Sequence, residues 1–316
     1  LSTFAAMIGF SVANILVSQA SGYASTFINL KVDSEIKNDI FSKMLVTDWE
    51  SLTDYHTGDL VTRWSSDASN ISSRIRLHKE YSTNSKGWFP WIFEHCKLKP
   101  NERVLEIGCG NGALWTENLN HIPSNLSILL SDVSDGMLRD ARRNLPSGDK
   151  RFSFACFDCH SFPSSLSAFD LIIANHVLFY CNDLPKVFKQ IQRALKKGGH
   201  FLCSTYGKRH MIEISELVQE FDSRIVLSAE KLYEQFGLEN GEALLKPYFS
   251  DVQCIRYEDS IELDRAEPLI EYILSCHGNQ NQMLLERYHE FRSFVEKKTS
   301  NGFHITKDAG IFLCTF

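Results

Sequence analysis

The feature that most constrains this chain is the run Val104-Leu-Glu-Ile-Gly108-Cys-Gly110-Asn-Gly112, an apolar stretch interrupted by Glu106 and closed by three glycines at alternate positions. Glycines are needed where a backbone turns sharply out of a strand and lets another molecule lie against it without Cβ atoms in the way. The helix expected next presents free N–H groups and a positive dipole end, suited to an anionic group. Twenty residues past Gly112, at the end of the next apolar run, stands Asp132. A carboxylate there can accept hydrogen bonds from both hydroxyls of a ribose.

Around this loop, strand-like apolar runs alternate with helical stretches, which predicts an α/β domain with a largely parallel sheet. Seven strands are expected, at Arg103–Ile107, Ser127–Asp132, Phe152–Phe157, Phe169–Ala174, His200–Thr205, Asp251–Tyr257 and Ile311–Phe316. Helices fit at Ala113–His121, Asp135–Asn144 and Leu184–Leu195, the last stopping at Lys196-Lys197-Gly198-Gly199. Helical insertions are expected around Ser215–Phe236 and Pro268–Glu296.

Two cofactors compete for the glycine loop. Gly108-x-Gly110-x-x-Ala113 with Asp132 fits the dinucleotide fingerprint of an NAD-dependent dehydrogenase. Against it, Glu106 interrupts a strand that the dinucleotide pattern keeps apolar, and a third glycine stands at Gly112. The resulting E-x-G-x-G-x-G resembles the first motif of class I S-adenosylmethionine-dependent methyltransferases. The resemblance continues from Arg103 to Thr205, through Asp132, Ser134-Asp-Gly-Met137, Asp158, Phe169-Asp-Leu-Ile-Ile-Ala-Asn175-His and Leu195-Lys-Lys-Gly-Gly199. It implies a Rossmann-like, seven-stranded, mostly parallel sheet over residues 79–316, with S-adenosyl-L-methionine as cofactor.

The resemblance also implies roles. Glu106 orders the loop, and the Gly108, Cys109, Gly110 and Gly112 backbone lies along the methionine portion. Asp132 takes the ribose hydroxyls with Val133 beside it, and Met137 helps cover the adenine. Asp158 receives the adenine amino group with the Cys159 backbone next to it, and Asn175 lies where the fourth strand's exit loop reaches the sulfonium. Tyr81-Ser-Thr-Asn84 resembles a segment that lies over the cofactor in a group of small bacterial methyltransferases, whose closing strands Phe303–Phe312 resemble.

Methyl transfer from a sulfonium is an in-line displacement that needs orientation above all, and no metal or oxyanion hole. His176 is the candidate general base at the reacting end, since a neutral imidazole takes a proton near neutral pH. A histidine that only packs there is the equal alternative. Tyr81 is the second candidate catalytic residue, with Tyr180 and Tyr206 shaping the pocket. Trp88, Trp91 and Phe93 are expected to pack as core or lid. The stretch Glu262–Ser300, opening on an apolar Pro268-Leu-Ile-Glu-Tyr-Ile273, is the candidate substrate lid, which suits a small-molecule acceptor. Cys156-Phe-Asp-Cys-His160 matches the c-type haem pattern but sits on a strand end with Asp158 inside it. A zinc site there lacks a second closely spaced Cys or His pair.

A net charge of -6 and the absence of a long Lys/Arg cluster disfavour nucleic acid as a partner. Nine cysteines, an odd number found largely in apolar runs, read as free thiols in a reducing compartment.

The first part differs in character. Leu1–Leu30 holds no Asp, Glu, Lys, Arg or His, and exceeds the roughly 20 residues a membrane helix needs, although Ser11, Asn14, Ser18 and Gln19 interrupt it. It lacks the basic start of a secretory signal. Thr57-Gly58-Asp59-Leu60 with Arg63 and Asp67 resembles the first cytoplasmic loop of an ABC-exporter permease, over about Leu1–Ser73. The expectation is a mostly helical segment, 1–78, that inserts in a membrane or survives as a remnant. Lys31, Lys37 and Lys43 favour the cytoplasm for everything downstream. With no phosphate-loop motif in the chain, it is expected to transport nothing alone. The alternative is a membrane-tethered module recruited to an exporter. A start at Leu1 rather than Met reads as a fragment or a processed form.

Overall fold

A computed structural model describes residues 76–228, 231–276 and 278–316. The apolar stretch Leu1–Leu30 and the permease-like loop lie outside the described residues. Among the described residues no helix is long and apolar enough to cross a membrane.

The described chain divides into two compact units. One is Ser82–Glu262 with Phe303–Phe316, and the other groups Leu263–Gly302 with the chain up to Tyr81.

The first unit is built on seven strands: β1 Arg103–Ile107, β2 Ser127–Asp132, β3 Phe152–Cys156, β4 Phe169–Asn175, β5 Leu195–Tyr206, β6 Asp251–Tyr257 and β9 Ala309–Thr315. Their order in the sheet is β3-β2-β1-β4-β5-β9-β6, a seven-stranded, mostly parallel sheet as the class I resemblance implies. The first five pair in parallel, while β9 runs antiparallel between β5 and β6. The period-two alternation of each strand divides the core by face. Leu105, Ile107, Ile172 and Phe201 pack on one side with Val187, Phe188 and Ile191. Val104, Ile128, Leu130 and Ile173 pack on the other with Ile92, Trp115 and Leu138. A parallel sheet covered on both faces needs such near-continuous apolar runs.

The helices supply those faces. They are α1 Trp88–Cys96, α2 Ala113–Thr116, α3 Asp135–Asn144, α4 Leu184–Ala194, α5 Ile212–Phe221, α6 Leu232–Gln235 and α7 Gly241–Leu245. Local chemistry fixes their ends: the Ser134 hydroxyl accepts from the Met137 N–H, and the Asp183 carboxylate from Lys186 at 3.0 Å. The helix expected over Ala113–His121 breaks into α2 and a 3-10 turn, Leu119–His121. Asn118 causes the break, because its side-chain amide donates to the Leu114 carbonyl at 2.7 Å. The helical insertion expected around Ser215–Phe236 is α5 and α6, with Asp222 extended at the end of α5. A short ribbon pairs β7 Ser260–Leu263, which has no counterpart in the sequence reading, with β8 Phe303–Thr306, which falls in the segment that resembles closing strands. The other unit holds α8 Glu267–Leu274, α9 Gln280–Leu284 and α10 Tyr288–Thr299, in the stretch around Pro268–Glu296 where helical insertion is expected.

This strand order decides where a ligand can lie. The chain leaves β1 toward β2 and β3, then returns to β4 on the other side of β1. Ligands of open α/β sheets bind at that switch point, outside the carboxyl ends of the strands. Gly108, Asp132, Asp158 and His176 all follow or close those strand ends.

Candidate active site

The glycine loop bends out of β1 through left-handed backbone, with φ of +65° at Gly108 and +54° at Gly110. A Cβ on Gly108 would lie 2.3 Å from Val177 Cγ2, so the approach of the β4 exit loop also requires glycine. Among the described residues nothing lies within 4 Å of where a Gly110 Cβ would point, which leaves an open cradle. Asp132 ties this loop to the turn after β2. One carboxylate oxygen accepts the Gly110 N–H at 3.0 Å, the other the Ser134 N–H at 2.8 Å. Each oxygen keeps a further lone pair for a ligand hydroxyl.

Glu106 stands one layer below. It is 2% exposed, and its Oε2 accepts the Trp115 indole N–H at 2.7 Å. It fastens the start of α2 behind the glycine loop rather than reaching the cleft. Burial pushes its pKa up to about 8, against the Trp115 hydrogen bond and with help from the nearby Asp132 charge. A carboxyl raised in this way disfavours folding when it ionises. Stability is therefore lost as pH rises from the unfolded value near 4.5 through about 8. Glu106→Gln keeps an acceptor for Trp115 and removes the ionisation. Melting temperatures across that pH range should fall in the wild type and stay nearly level in the variant. Parallel profiles would refute the assignment.

A cleft of about 400 Å³ opens beside the loop. Of the residues predicted from sequence, Gly108, Asp132, Val133, Asp158, Cys159, His176 and Tyr180 line it. Cys109, Gly110, Gly112, Met137 and Asn175 stand behind or beside its wall rather than on it. Val133 is 73% exposed and Tyr180 66%, so apolar surface is offered at the rim without protein to cover it. Asp158 accepts the His160 backbone N–H at 2.8 Å and meets the His160 ring at 2.6 Å, and these bonds hold its pKa below the usual range. Cys181, which sequence reasoning missed, joins Cys159 in the wall at 3.3 Å between sulfurs.

The exit of β4 forms the far end. His176 takes a left-handed φ of +55°, rare for a residue with a side chain. The Ser204 hydroxyl fixes it: that oxygen accepts the His176 N–H at 2.9 Å and donates to Asn175 Oδ1 at 2.5 Å. Asn175 Oδ1 also accepts the Trp88 indole N–H at 3.3 Å. The Asn175 carboxamide oxygen thus already holds two side chains. The His176 ring stacks on Trp88, with centroids 5.0 Å apart, and has Phe179 and Tyr206 at 6.0 Å. Its Nδ1 is buried with no hydrogen-bond partner among the described residues. Burial pushes its pKa down to about 4, leaving the imidazole neutral at pH 7.

Tyr81 belongs to the other unit, where its hydroxyl accepts from Arg265 Nε at 2.9 Å. The following Ser82-Thr83-Asn84 begins the sheet unit and is pinned by Asp259, whose carboxylate accepts the Ser82 hydroxyl at 2.8 Å and the Asn84 N–H at 3.0 Å.

A glycine cradle, an acid at the end of β2 and this strand order agree with what the chain is similar to. The model of a methyltransferase domain matches residues 98–252. A malonyl-[acyl-carrier protein] O-methyltransferase of Methylovorus sp. (strain MP688) is 30% identical over 215 residues, covering 62% of this chain and 71% of that protein. The chain belongs to the class I S-adenosylmethionine-dependent methyltransferases. Membership decides between the two readings of the glycine loop, against the dehydrogenase. The methyltransferase is also 30% identical over 132 residues to the biotin biosynthesis bifunctional protein BioHC of Saccharophagus degradans, covering 41% of this chain but 23% of that one. A second BioHC, of Cellvibrio japonicus, is 26% identical and matched over 32% of its length, so the chain spans a third or less of these bifunctional proteins. Among solved structures, YcgJ of Bacillus subtilis is 14% identical, with a TM-score of 0.46 and coverage of 72% and 97%. Phosphoethanolamine N-methyltransferase 2 of Haemonchus contortus is 20% identical, with a TM-score of 0.47 and coverage of 79% and 57%. Residues 1–77 match the ABC transporter transmembrane region.

Proposed function

We propose that this methyltransferase moves the methyl group of S-adenosylmethionine onto an oxygen of a small acceptor that reacts without first losing a proton, a carboxylate above all. When bound, the cofactor supplies a methyl group already activated by its sulfonium. The chain's own task is placement. Asp132 holds the ribose hydroxyls, the Gly108–Gly112 backbone lies along the methionine portion, and Val133 and Tyr180 flank the adenine. The open cradle at Gly110 and the uncovered apolar rim fit such a ligand.

His176 carries the acceptor half of the reading. It is the titratable group at the β4 exit, and its pKa near 4 makes it a far weaker base than a free imidazole. A hydroxyl or amine acceptor would gain little from it. A carboxylate is already a nucleophile, and several relatives are malonyl-[acyl-carrier protein] O-methyltransferases by name. Here His176 orients and excludes water through its stack on Trp88 rather than taking a proton. We attribute no part of methyl transfer to residues 1–77.

Calorimetric titration with S-adenosylmethionine, its demethylated product and NAD tests the first half. Both sulfur ligands should bind and NAD should not. Turnover of malonate monoesters against matched alcohols and amines tests the second. Carboxylates should be methylated with a rate that His176→Gln changes by roughly tenfold at most and that shows no added dependence on pH between 6 and 8. Preference for an amine, with activity abolished in His176→Gln, would overturn the acceptor class and restore the general base.

A further inference from the structure

One cluster in the cleft wall is not used by methyl transfer. Cys159 and His160 lie in the turn after β3, and Cys181 lies 22 residues on, at the end of the short helical turn after β4. Cys159 Sγ stands 3.3 Å from Cys181 Sγ and 3.8 Å from His160 Nδ1, and the three donor atoms all lie within 4.8 Å of one another. Bonds of roughly 2.3 Å to sulfur and 2.0–2.1 Å to nitrogen, at tetrahedral angles, put donors about 3.5–3.8 Å apart. The observed spacing therefore needs only small adjustments to surround an ion. Neither reading of Cys156-Phe-Asp-Cys-His160 as a linear motif finds this set, because Cys156 projects elsewhere, its thiol facing the Val133 carbonyl at 3.5 Å.

We propose that Cys159, His160 and Cys181 form a binding site for a soft divalent cation of the zinc class, with its fourth position open to the cleft, and that its occupation opposes cofactor binding. Two thiolates and an imidazole select zinc over the magnesium or calcium that all-oxygen sites prefer. The frame is partly built on the Cys181 side, where the Cys181 carbonyl accepts from Gln235 Nε2 at 2.9 Å; the 3.4 Å bond that His160 Nε2 accepts from the Asp183 N–H is given up on binding. Binding replaces the Nδ1–H bond to Asp158 by a metal bond. The ring proton moves to Nε2, the thiols lose the protons they carry to solvent, and Asp158 is released. The opposing effect rests on the function proposed above, with the adenine amino group on Asp158 beside the Cys159 backbone as the class I resemblance implies.

The test is titration of the full chain with cobalt(II), kept reduced by a phosphine. One ion per chain should bind and give the visible bands of tetrahedral thiolate coordination, with zinc displacing it. Cys181→Ser should weaken binding by roughly a hundredfold, and His160→Gln by about tenfold, with Cys254→Ser as the unaffected control. Cys159→Ser, at a less buried thiol, provides the same readout if Cys181→Ser fails to fold. Unchanged cobalt spectra and stoichiometry in either thiol variant would overturn the site. Titration of S-adenosylmethionine with zinc and then with chelator tests the second half. Zinc should weaken binding by about tenfold in wild type and not in Cys181→Ser, and equal affinities would overturn the opposition. Failure of the cofactor to bind chelated protein would remove the functional reading on which the opposition rests and leave the cobalt count standing.

Discussion

Asp132→Ala is expected to weaken binding of S-adenosylmethionine and of its demethylated product by roughly a hundredfold or more, with little change in melting temperature. The size follows from what the carboxylate is proposed to hold. Hydrogen bonds to a charged group are worth about 1.5–3 kcal/mol each, and two ribose hydroxyls share this one. Their joint loss, about 3–6 kcal/mol, corresponds to a factor of about a hundred or more. A second contribution acts through the backbone, because the carboxylate also accepts the Gly110 and Ser134 N–H groups and sets the two loops at one spacing. Folding is spared because Asp132 is only half-buried, so water can take over both donors. Asp132→Asn keeps the size but presents an amide that can serve only one of the two N–H groups, so it should fall between wild type and alanine. Calorimetry with the demethylated product reads all three without turnover. Affinity within threefold of wild type in the alanine variant would remove Asp132 from the cofactor site.

Much of this site could be read before any coordinates, for a physical reason. Strands buried on both faces carry their own signature, so β1 and β2 fall at the residues that their apolar runs predict, as do the edge strand β6 and the capped helix α3. Gly108 and Asp132 are equally legible, since each answers a local demand, for left-handed backbone or for an acid at a strand end. What escaped depends on side chains that meet across long separations. Asn118 breaks a helix by reaching back to Leu114, which no period reveals. Asn175 is committed to Trp88, 87 residues earlier, and to Ser204. His176 was identified by its position, yet its weak basicity arises from the aromatic wall that the fold assembles around it. Cys181 carried no signal at all, because its partner lies on a different loop.

The same distinction gives the largest expected loss of stability, at a residue the sequence did not mark. Asp259→Ala should destabilise the sheet unit by about 3–5 kcal/mol, the range for breaking one side of a buried ion pair. For a domain of this size that is a fall in melting temperature on the order of 10 °C. The Asp259 side chain is 0% exposed and pairs with Lys307, itself 13% exposed. It also accepts the Ser82 and Thr83 hydroxyls, the Asn84 N–H and the Ser260 N–H, so five groups from three chain segments converge on one carboxylate. Alanine strands the Lys307 ammonium and frees the segment that leads into α1, where Trp88 braces the reacting end. Burial alone would raise the Asp259 pKa, but the bonds from Lys307 and Ser82 outweigh it and hold the carboxyl below its ordinary range. A depressed carboxyl contributes stability that is complete above its unfolded value, near 4, and is lost as pH falls through the folded value. The deficit of the alanine variant should therefore be full at pH 7 and shrink below about pH 4. Adding Lys307→Met to Asp259→Ala should recover part of the loss, because it removes the stranded charge. Denaturant unfolding of the four proteins completes the cycle. A deficit below about 1 kcal/mol, or a double variant no better than the single, would show that Asp259 does not brace this segment.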